Sequence, residues 1–285
     1  MEAIRVAMAQ ISPVLGDVRA NRDLHLREIA RAREEGARVA VFPELGMTGY
    51  LLKDLTFEVA RRPDDPDIAA VVDASRELDV VFSFVEESGR GRFYVACAYA
   101  SQGRIAHMHR KLYLPTYGLF EEGRHLGRGA ALDAFDAAGA RTGLLVCEDA
   151  WHPSVPYLLS VAGADILYIV SSSPGRMFGA DPHSGSREFW ERMLRTYAQL
   201  LTCYAVFVNR AGVEDGLFFF GHSFAAGPGG EIVGGSGTHE PALTVVELDP
   251  EALRRERYRT PLLRDEDPHF TARTLARYLK EGGAR

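Results

Sequence analysis

Cysteine is scarce. Three residues, Cys97, Cys147 and Cys203, an odd number in a chain of 285, cannot furnish a disulfide framework, and a reducing, cytoplasmic setting is expected. Long apolar runs are missing as well. No stretch approaches the roughly 20 residues of a membrane span, and the opening Met1-Glu2-Ala3-Ile4-Arg5 has neither a basic leader nor an apolar core behind it, so no membrane contact and no secretory leader are expected. Positive charge is not in excess: 33 Lys and Arg face 39 Asp and Glu, a net charge of −6. With no basic stripe to follow a phosphate backbone, nucleic acid is not an expected partner. Linkers rich in Pro, Gly or Ser and internal repeats are also lacking, so a single domain over residues 1–285 is expected, closing in a polar C-terminal tail from about residue 249. What is present is an ordinary folding composition, 46% hydrophobic and 25% charged, which excludes disorder and fibrous repeats.

Short β-branched runs alternate with amphipathic stretches, the pattern of an α/β layered fold. Ile4 to Ala9 predicts a strand, and Asn21 to Glu35 a helix with Leu26, Ile29 and Ala30 on its apolar face and Gly36 at its end. Val39 to Phe42 predicts a second strand, stopped by Pro43, which leaves Glu44 just beyond a strand's carboxyl end, where open α/β sheets place their chemistry. Helix is expected over Ile68 to Leu78, and strands over Val80 to Val85, Arg92 to Ala100 and Arg104 to His109. Thr142 to Val146 and Ile166 to Val170 predict strands, Ser154 to Ala162 and Glu188 to Leu201 helices. Strands then follow at Val206 to Asn209, Leu217 to Ala225, Ile232 to Val233 and Leu243 to Leu248, before a last helix at Thr271 to Leu279. So many strands in one domain favour two sheets packed face to face with helices outside.

Among the candidate functional residues, Cys147 stands out. In Gly143-Leu144-Leu145-Val146-Cys147-Glu148-Asp149-Ala150-Trp151 an apolar strand delivers a thiol to a polar turn, where following backbone N–H groups would face a developing oxyanion. Cys97 and Cys203 lie in apolar patterns and are expected to be structural. A thiol of pKa about 8.5 needs a base or a cation, and the adjacent acids at 148 and 149 would push it the wrong way. Glu44 in Phe42-Pro43-Glu44-Leu45 and Lys111 in His109-Arg110-Lys111-Leu112-Tyr113-Leu114-Pro115 are the loop candidates for that help.

The three segments together resemble the nitrilase, or carbon-nitrogen hydrolase, superfamily, from about Val6 to about Leu248. The match includes Thr48-Gly49-Tyr50, Asn209-Arg210-Ala211-Gly212 and Phe220-Gly221-His222-Ser223-Phe224. The resemblance implies a four-layer α-β-β-α sandwich and a Glu44, Lys111, Cys147 triad, with no cofactor and no metal. Cys147 would attack an amide carbonyl, Glu44 would move the protons, and Lys111 with the N–H of Glu148 would hold the oxyanion. The segment Leu114 to Arg124 and the string Cys147 to Trp151 look most like the glutaminase domain of glutamine-dependent NAD synthetases. On that likeness Glu122 matches an auxiliary Glu and Tyr117 a residue near the thiol. The chain carries no Gly-rich phosphate loop of the Ser-Gly-Gly-x-Asp kind, so it is not expected to make NAD alone.

The expected activity is hydrolysis of a small carboxamide by a homo-oligomer. Two other outcomes stay open: a glutaminase subunit feeding ammonia to a separate NAD synthetase, and, in another class, a metal-dependent hydrolase built on His107, His109, His125 and Asp149 or a catalytically silent interaction protein. Leu217 to Phe220 is expected in core or a subunit interface, and Asp181 to Arg187 is either a loop over the site or a polar connection.

Overall fold

Period-two alternation with both faces apolar is what lets a strand lie between two layers, and it governs the centre of this fold. The computed structural model describes residues 2–175 and 184–282; residues 181–183 of the Asp181 to Arg187 segment lie outside them, and 184–187 are helical. The strands run in chain order as β1 (Ile4–Gln10), β2 (Val39–Val41), β3 (Asp79–Ser88), β4 (Arg92–Ser101), β5 (Arg104–Arg110), β6 (Phe135–Ala137), β7 (Ala140–Val146), β8 (Ile166–Ser171), β9 (Tyr204–Asn209), β10 (Ala211–Glu214), β11 (Leu217–Phe220), β12 (Phe224–Ala226), β13 (Ile232–Gly235) and β14 (Ala242–Leu248). One six-stranded sheet has the order β14-β1-β2-β3-β4-β5, the other β13-β12-β9-β8-β7-β6, and β10 and β11 form a separate ribbon.

Each large sheet has three parallel strands at its centre, β1-β2-β3 in one and β7-β8-β9 in the other, flanked by antiparallel strands. This shared arrangement leaves no repeat in the sequence, because packing constrains which positions are apolar and not which apolar residue fills them. Leu144, Val146, Tyr168, Val170, Val206 and Val208 join the first sheet in one core. The intervening Leu145, Leu167, Ile169, Ala205 and Phe207 pack with Leu159, Trp190, Leu194 and Ala198 of the outer helices in another.

The helices are α1 (Val18–Glu34), α2 (Thr56–Val59), α3 (Pro66–Ala74), α4 (Glu122–His125), α5 (Ser154–Val161), α6 (Ser184–Leu200), α7 (Pro250–Arg259), α8 (Leu262–Asp265) and α9 (Pro268–Lys280). With α1 and α3 outside one sheet and α5 and α6 outside the other, the architecture is the α-β-β-α sandwich of the sequence reading.

Three expectations need correction. Leu217 to Ala225 is not one strand: Gly221 and His222 adopt positive φ, +61° and +57°, which turns the chain out of the ribbon, and Phe224–Ala226 joins the second sheet instead. The segment after residue 249 opens with a helix, α7, whose first turn Asp249 caps by accepting from the Glu251 N–H and whose Leu253 is buried. The Asp-Pro-Glu string there was a legible start signal.

The third correction bears on the site. The buried face of α1 holds the polar Asn21 and His25 beside Val18, Ile29 and Ala32, while Leu26 and Ala30 are only partly buried. Asn21 satisfies the backbone of Val14 in both directions and the carbonyl of Met47. His25 donates from Nδ1 to the Asn21 carbonyl at 2.7 Å, stacks on Phe42 at 4.2 Å, and lies where a Cβ on Gly46 would come within 2.9 Å of Nε2. These polar residues therefore back the loop that carries Glu44.

Burial lowers the His25 pKa from 6.5 to about 4. Between those values the unfolded chain binds a proton that the folded chain refuses, so stability is full above pH 6.5 and declines as the pH falls toward 4. In His25→Phe, which keeps the stack on Phe42, the melting temperature is expected to fall less than in the parent between pH 6.5 and pH 4. An equal fall in both proteins would show that the imidazole is not buried neutral.

Candidate active site

The carboxyl ends of strands from both sheets meet at one place. Glu44 follows β2, Lys111 follows β5, Cys147 follows β7, and Ser171 closes β8 with Ser172 after it. Lys111 Nζ lies 2.7 Å from Glu44 Oε1 and 2.8 Å from Glu122 Oε1, and all three side chains are buried. The second Glu44 oxygen accepts from the Ser172 N–H at 2.9 Å, and the Ser172 hydroxyl donates to the Glu44 carbonyl at 2.7 Å. Tyr50 donates its hydroxyl to Glu122 Oε1 at 2.6 Å. The Ser171 hydroxyl lies 3.4 Å from Cys147 Sγ. The structure thus brings together Glu44, Lys111, Glu122 and Cys147, with Tyr50, Ser171 and Ser172 beside them.

Polar anchors hold the strand ends, and one of them, Asp149, is the residue offered above as a metal ligand. Asp149, fully buried, accepts from the Val146 N–H at 3.0 Å, from Leu112 N–H at 2.9 Å and Tyr113 N–H at 3.0 Å, and contacts His109 Nε2 at 2.9 Å. One carboxylate therefore ties the Cys147 turn to the Lys111 loop. Arg110, pointing away from the site, makes a bidentate pair with Glu86 at 2.6 Å for each bond. Gly129 lets the chain press on this loop: its N–H donates to the Lys111 carbonyl, and a Cβ there would sit 2.1 Å from the Arg110 oxygen.

The histidines do not form a metal centre. His107 stacks on Phe135, His109 is engaged by Asp149, and among the described residues no group of three His, Cys, Asp or Glu side chains could hold a metal ion.

Electrostatics separate the three groups. Burial is the main force raising the Glu44 pKa, opposed by the Lys111 cation, and leaves it pushed up to about 7. Burial alone would discharge Lys111, but Glu122, Glu44 and Cys147 outweigh it and hold the ammonium charged. The Cys147 thiol is pushed up by burial and by Glu44, against the pull of Lys111 and the Ser171 hydroxyl. The opposing acid is Glu44 across the site, not Asp149, which is occupied by backbone donors. A neutral thiol beside a carboxyl group that titrates near neutrality is suited to proton transfer during attack and not to a standing thiolate.

At the rim, Tyr117 donates its hydroxyl to Glu148 at 2.9 Å, with His152 Nε2 3.8 Å from the same carboxylate. Burial raises the Glu148 pKa, while Tyr117, Lys111 and His152 work to lower it. Cys97 and Cys203 are fully buried, with burial the chief cause raising both thiols. Ser171 and Ser172 escaped notice because short polar residues at a strand end are ordinary; their position at and just after the end of β8, parallel to β7, was the available signal.

No helix among the described residues is long and apolar enough to cross a membrane. The family model for carbon-nitrogen hydrolases matches residues 5–258. Glutamine-dependent NAD(+) synthetase of Acinetobacter baylyi is 26% identical over 254 residues, covering 89% of this chain and 46% of that protein. The chain spans about half the length of such synthetases. N-carbamoylputrescine amidase of Solanum lycopersicum is 27% identical over 271 residues, 88% of each chain. Among solved structures, a mutant of the amidase from a Nesterenkonia species, with acrylamide added at its active-site cysteine, superposes with a TM-score of 0.77 at 25% identity, covering 90% of this chain and 97% of that one.

Cys147 opens a 3₁₀ turn (Cys147–Trp151) at φ +46°, a conformation that costs a side-chain-bearing residue about 1–2 kcal/mol and glycine little. Cys147→Gly is therefore expected to unfold at a higher temperature than Cys147→Ala, the reverse of the usual order of these residues. The usual order, measured by calorimetry, would show that the position is not strained.

Proposed function

We propose that this chain, which belongs to the carbon-nitrogen hydrolase family, hydrolyses a small carboxamide to its acid and ammonia through a thioester on Cys147. The observation that carries the reading is the buried Lys111 ammonium between two carboxylates at the strand end where a neutral Cys147 thiol emerges. Cys147 Sγ bonds to the carbonyl carbon as Glu44 accepts the thiol proton. The oxygen gathers charge against Lys111 Nζ–H and the N–H of Glu148, a first-turn group with no partner within its own turn. Collapse breaks the C–N bond, Glu44 returns the proton to the leaving nitrogen, and ammonia departs. Water then adds to the thioester, giving its proton to Glu44, and the acid leaves as the thiol re-forms. The second Glu122 oxygen, buried without a protein partner, keeps one acceptor available inside the site.

Tyr117 and Glu148 are auxiliary in this reading, placing a carboxylate beside the thiol that suits a substrate carrying a cationic or hydrogen-donating group. An amidase relative of matching length supports a chain that acts unaided. The synthetase relatives support the second reading, a glutaminase subunit for a separate NAD synthetase. We favour the first, as a cytoplasmic homo-oligomer. Ammonia release from glutamine and a panel of small amides, with and without an ammonia-dependent NAD synthetase from the same cell, decides between them: turnover alone supports the free amidase, and negligible turnover with strong stimulation and co-elution supports the subunit.

Three further outcomes are expected. Iodoacetamide at neutral pH labels Cys147 before Cys97 or Cys203 and abolishes turnover; loss of activity with Cys147 unmodified would refute the assignment. Glu44→Gln, Lys111→Met and Lys111→Arg each lower kcat by about 10²-fold or more, the last because a planar guanidinium cannot take the place of a compact ammonium between two carboxylates. Since the base must be ionised, kcat/KM is expected to fall about tenfold per pH unit below the Glu44 value near 7; a rate independent of pH from 5 to 8 would remove Glu44 from that role.

A further inference from the structure

Away from the thiol lies a second buried ion pair that the proposed chemistry does not use. Arg210 Nη1 donates to Glu214 Oε2 at 2.6 Å, with both side chains at most 2% exposed. Arg210 leaves the end of β9 and Glu214 ends β10, so the pair sits where the ribbon departs from the second sheet. The other Glu214 oxygen accepts two consecutive backbone N–H groups, Tyr50 at 2.9 Å and Leu51 at 2.7 Å. Gly49 makes this approach possible: it has φ +81°, and a Cβ there would lie 2.8 Å from Glu214 Oε2. The Arg210 guanidinium lies over the Phe219 ring at 4.3 Å, and Phe219 meets the Tyr50 ring edge-on at 6.0 Å. Tyr50 is thus gripped at its backbone by the carboxylate and at its ring by the residue beneath the guanidinium.

The far end of Tyr50 reaches the site. Its hydroxyl donates to Glu122 Oε1, the same oxygen that accepts from Lys111 Nζ. Burial and the neighbouring Glu122, Glu44 and Cys147 raise the phenol pKa well above its ordinary value, so Tyr50 serves as a hydrogen donor throughout the working pH range.

A buried ion pair is weak evidence for stability, because desolvating two charges costs about as much as their attraction returns, and an apolar pair of similar volume often does as well. What an apolar pair cannot do is accept two adjacent N–H groups and set the backbone direction of Tyr50. We infer that the Arg210–Glu214 pair is a positioning device, which acts through Tyr50 and Glu122 to hold the Lys111 ammonium in register with the thiol. The inference rests on the amidase reading for its effect on turnover, while its effect on the thiol itself needs no substrate.

The test compares the whole protein with Glu214→Gln, Tyr50→Phe and their double variant, measuring the rate of Cys147 alkylation by iodoacetamide against pH and, for the best amide, kcat and KM. Misplacing Lys111 removes the cation that lowers the thiol pKa, so both single variants are expected to shift the alkylation profile to higher pH. The double variant should shift no further than Tyr50→Phe, since both lesions break one chain of contacts. In turnover, kcat should fall about tenfold or more with KM changed by less than about threefold, the signature of a displaced group at the reacting centre.

Against the chance that Glu214→Gln folds poorly, Arg210→Met combined with Glu214→Met keeps the volume and removes both charges. It is expected to fold, with a melting temperature lowered by the Tyr50 and Leu51 N–H groups left unpaired, and to show the same shifted profile. Additive shifts in the double variant, or an unshifted profile in the folded Met pair, would overturn the inference. If the parent releases ammonia from no amide, the amidase reading fails, and the alkylation profile still judges the positioning role by itself.

Discussion

A lysine ammonium with no exposed surface is the constraint around which this structure is arranged. An unpaired charge in an apolar interior costs several kcal/mol, so Lys111 has to be met by opposite charge wherever the chain turns back into the core. Two carboxylates meet it, Glu44 from the loop after β2 and Glu122 from the first turn of α4. Burial, with the like charge of Glu122 added to it, outweighs the Lys111 cation and pushes Glu44 toward neutrality, while Lys111 stays charged between its two acids. Burial beside a second acid thus makes Glu44 a proton carrier near pH 7 and not merely a counter-ion.

Such a cluster needs its parts held to within a few tenths of an ångström, and they come from different sheets. Two sets of polar contacts fasten the sheets together at their carboxyl ends. Ser172, beyond β8 of one sheet, bonds both the side chain and the backbone of Glu44 from the other. Asp149 reaches across in the opposite sense, from the Cys147 turn to the backbone of Leu112 and Tyr113 and to His109. Behind the Glu44 loop, Asn21 and His25 occupy positions on α1 that apolar residues would fill if packing were the only demand. Buried polar groups of this kind hold one geometry because any other leaves a donor or acceptor unpaired, at about 1–3 kcal/mol each.

The apolar sandwich supplies what those contacts need. Strands β8 and β9, and β7 from Thr142 onward, are buried on both faces, so the thiol is delivered at the tip of an enclosed strand. The ribbon of β10 and β11 adds a third support, since Phe219 and Phe220 are buried while Leu217 and Phe218 are half-covered. The apolar run that promised core or interface thus contributes core, and part of that core lies directly against Tyr50.

Much of this was written locally. The alternation of apolar runs marked the strands around Val39, Thr142 and Ile166 to within a residue or two, and the Pro43 stop and the polar turn after Val146 put Glu44 and Cys147 at strand ends. Lys111 and Glu122 were legible through their surrounding motifs. The tertiary structure alone decided that Asp149 is a backbone anchor and not a metal ligand, that His25 faces inward, that residues 217–226 divide between a ribbon and a sheet, and that Glu214 grips the chain at Tyr50. The physical reason is distance along the chain. A strand or a cap is set by neighbours a few residues away, whereas the partner of a buried polar group is whichever donor or acceptor folding brings beside it, 128 residues off for Glu44 and Ser172 and 164 for Tyr50 and Glu214.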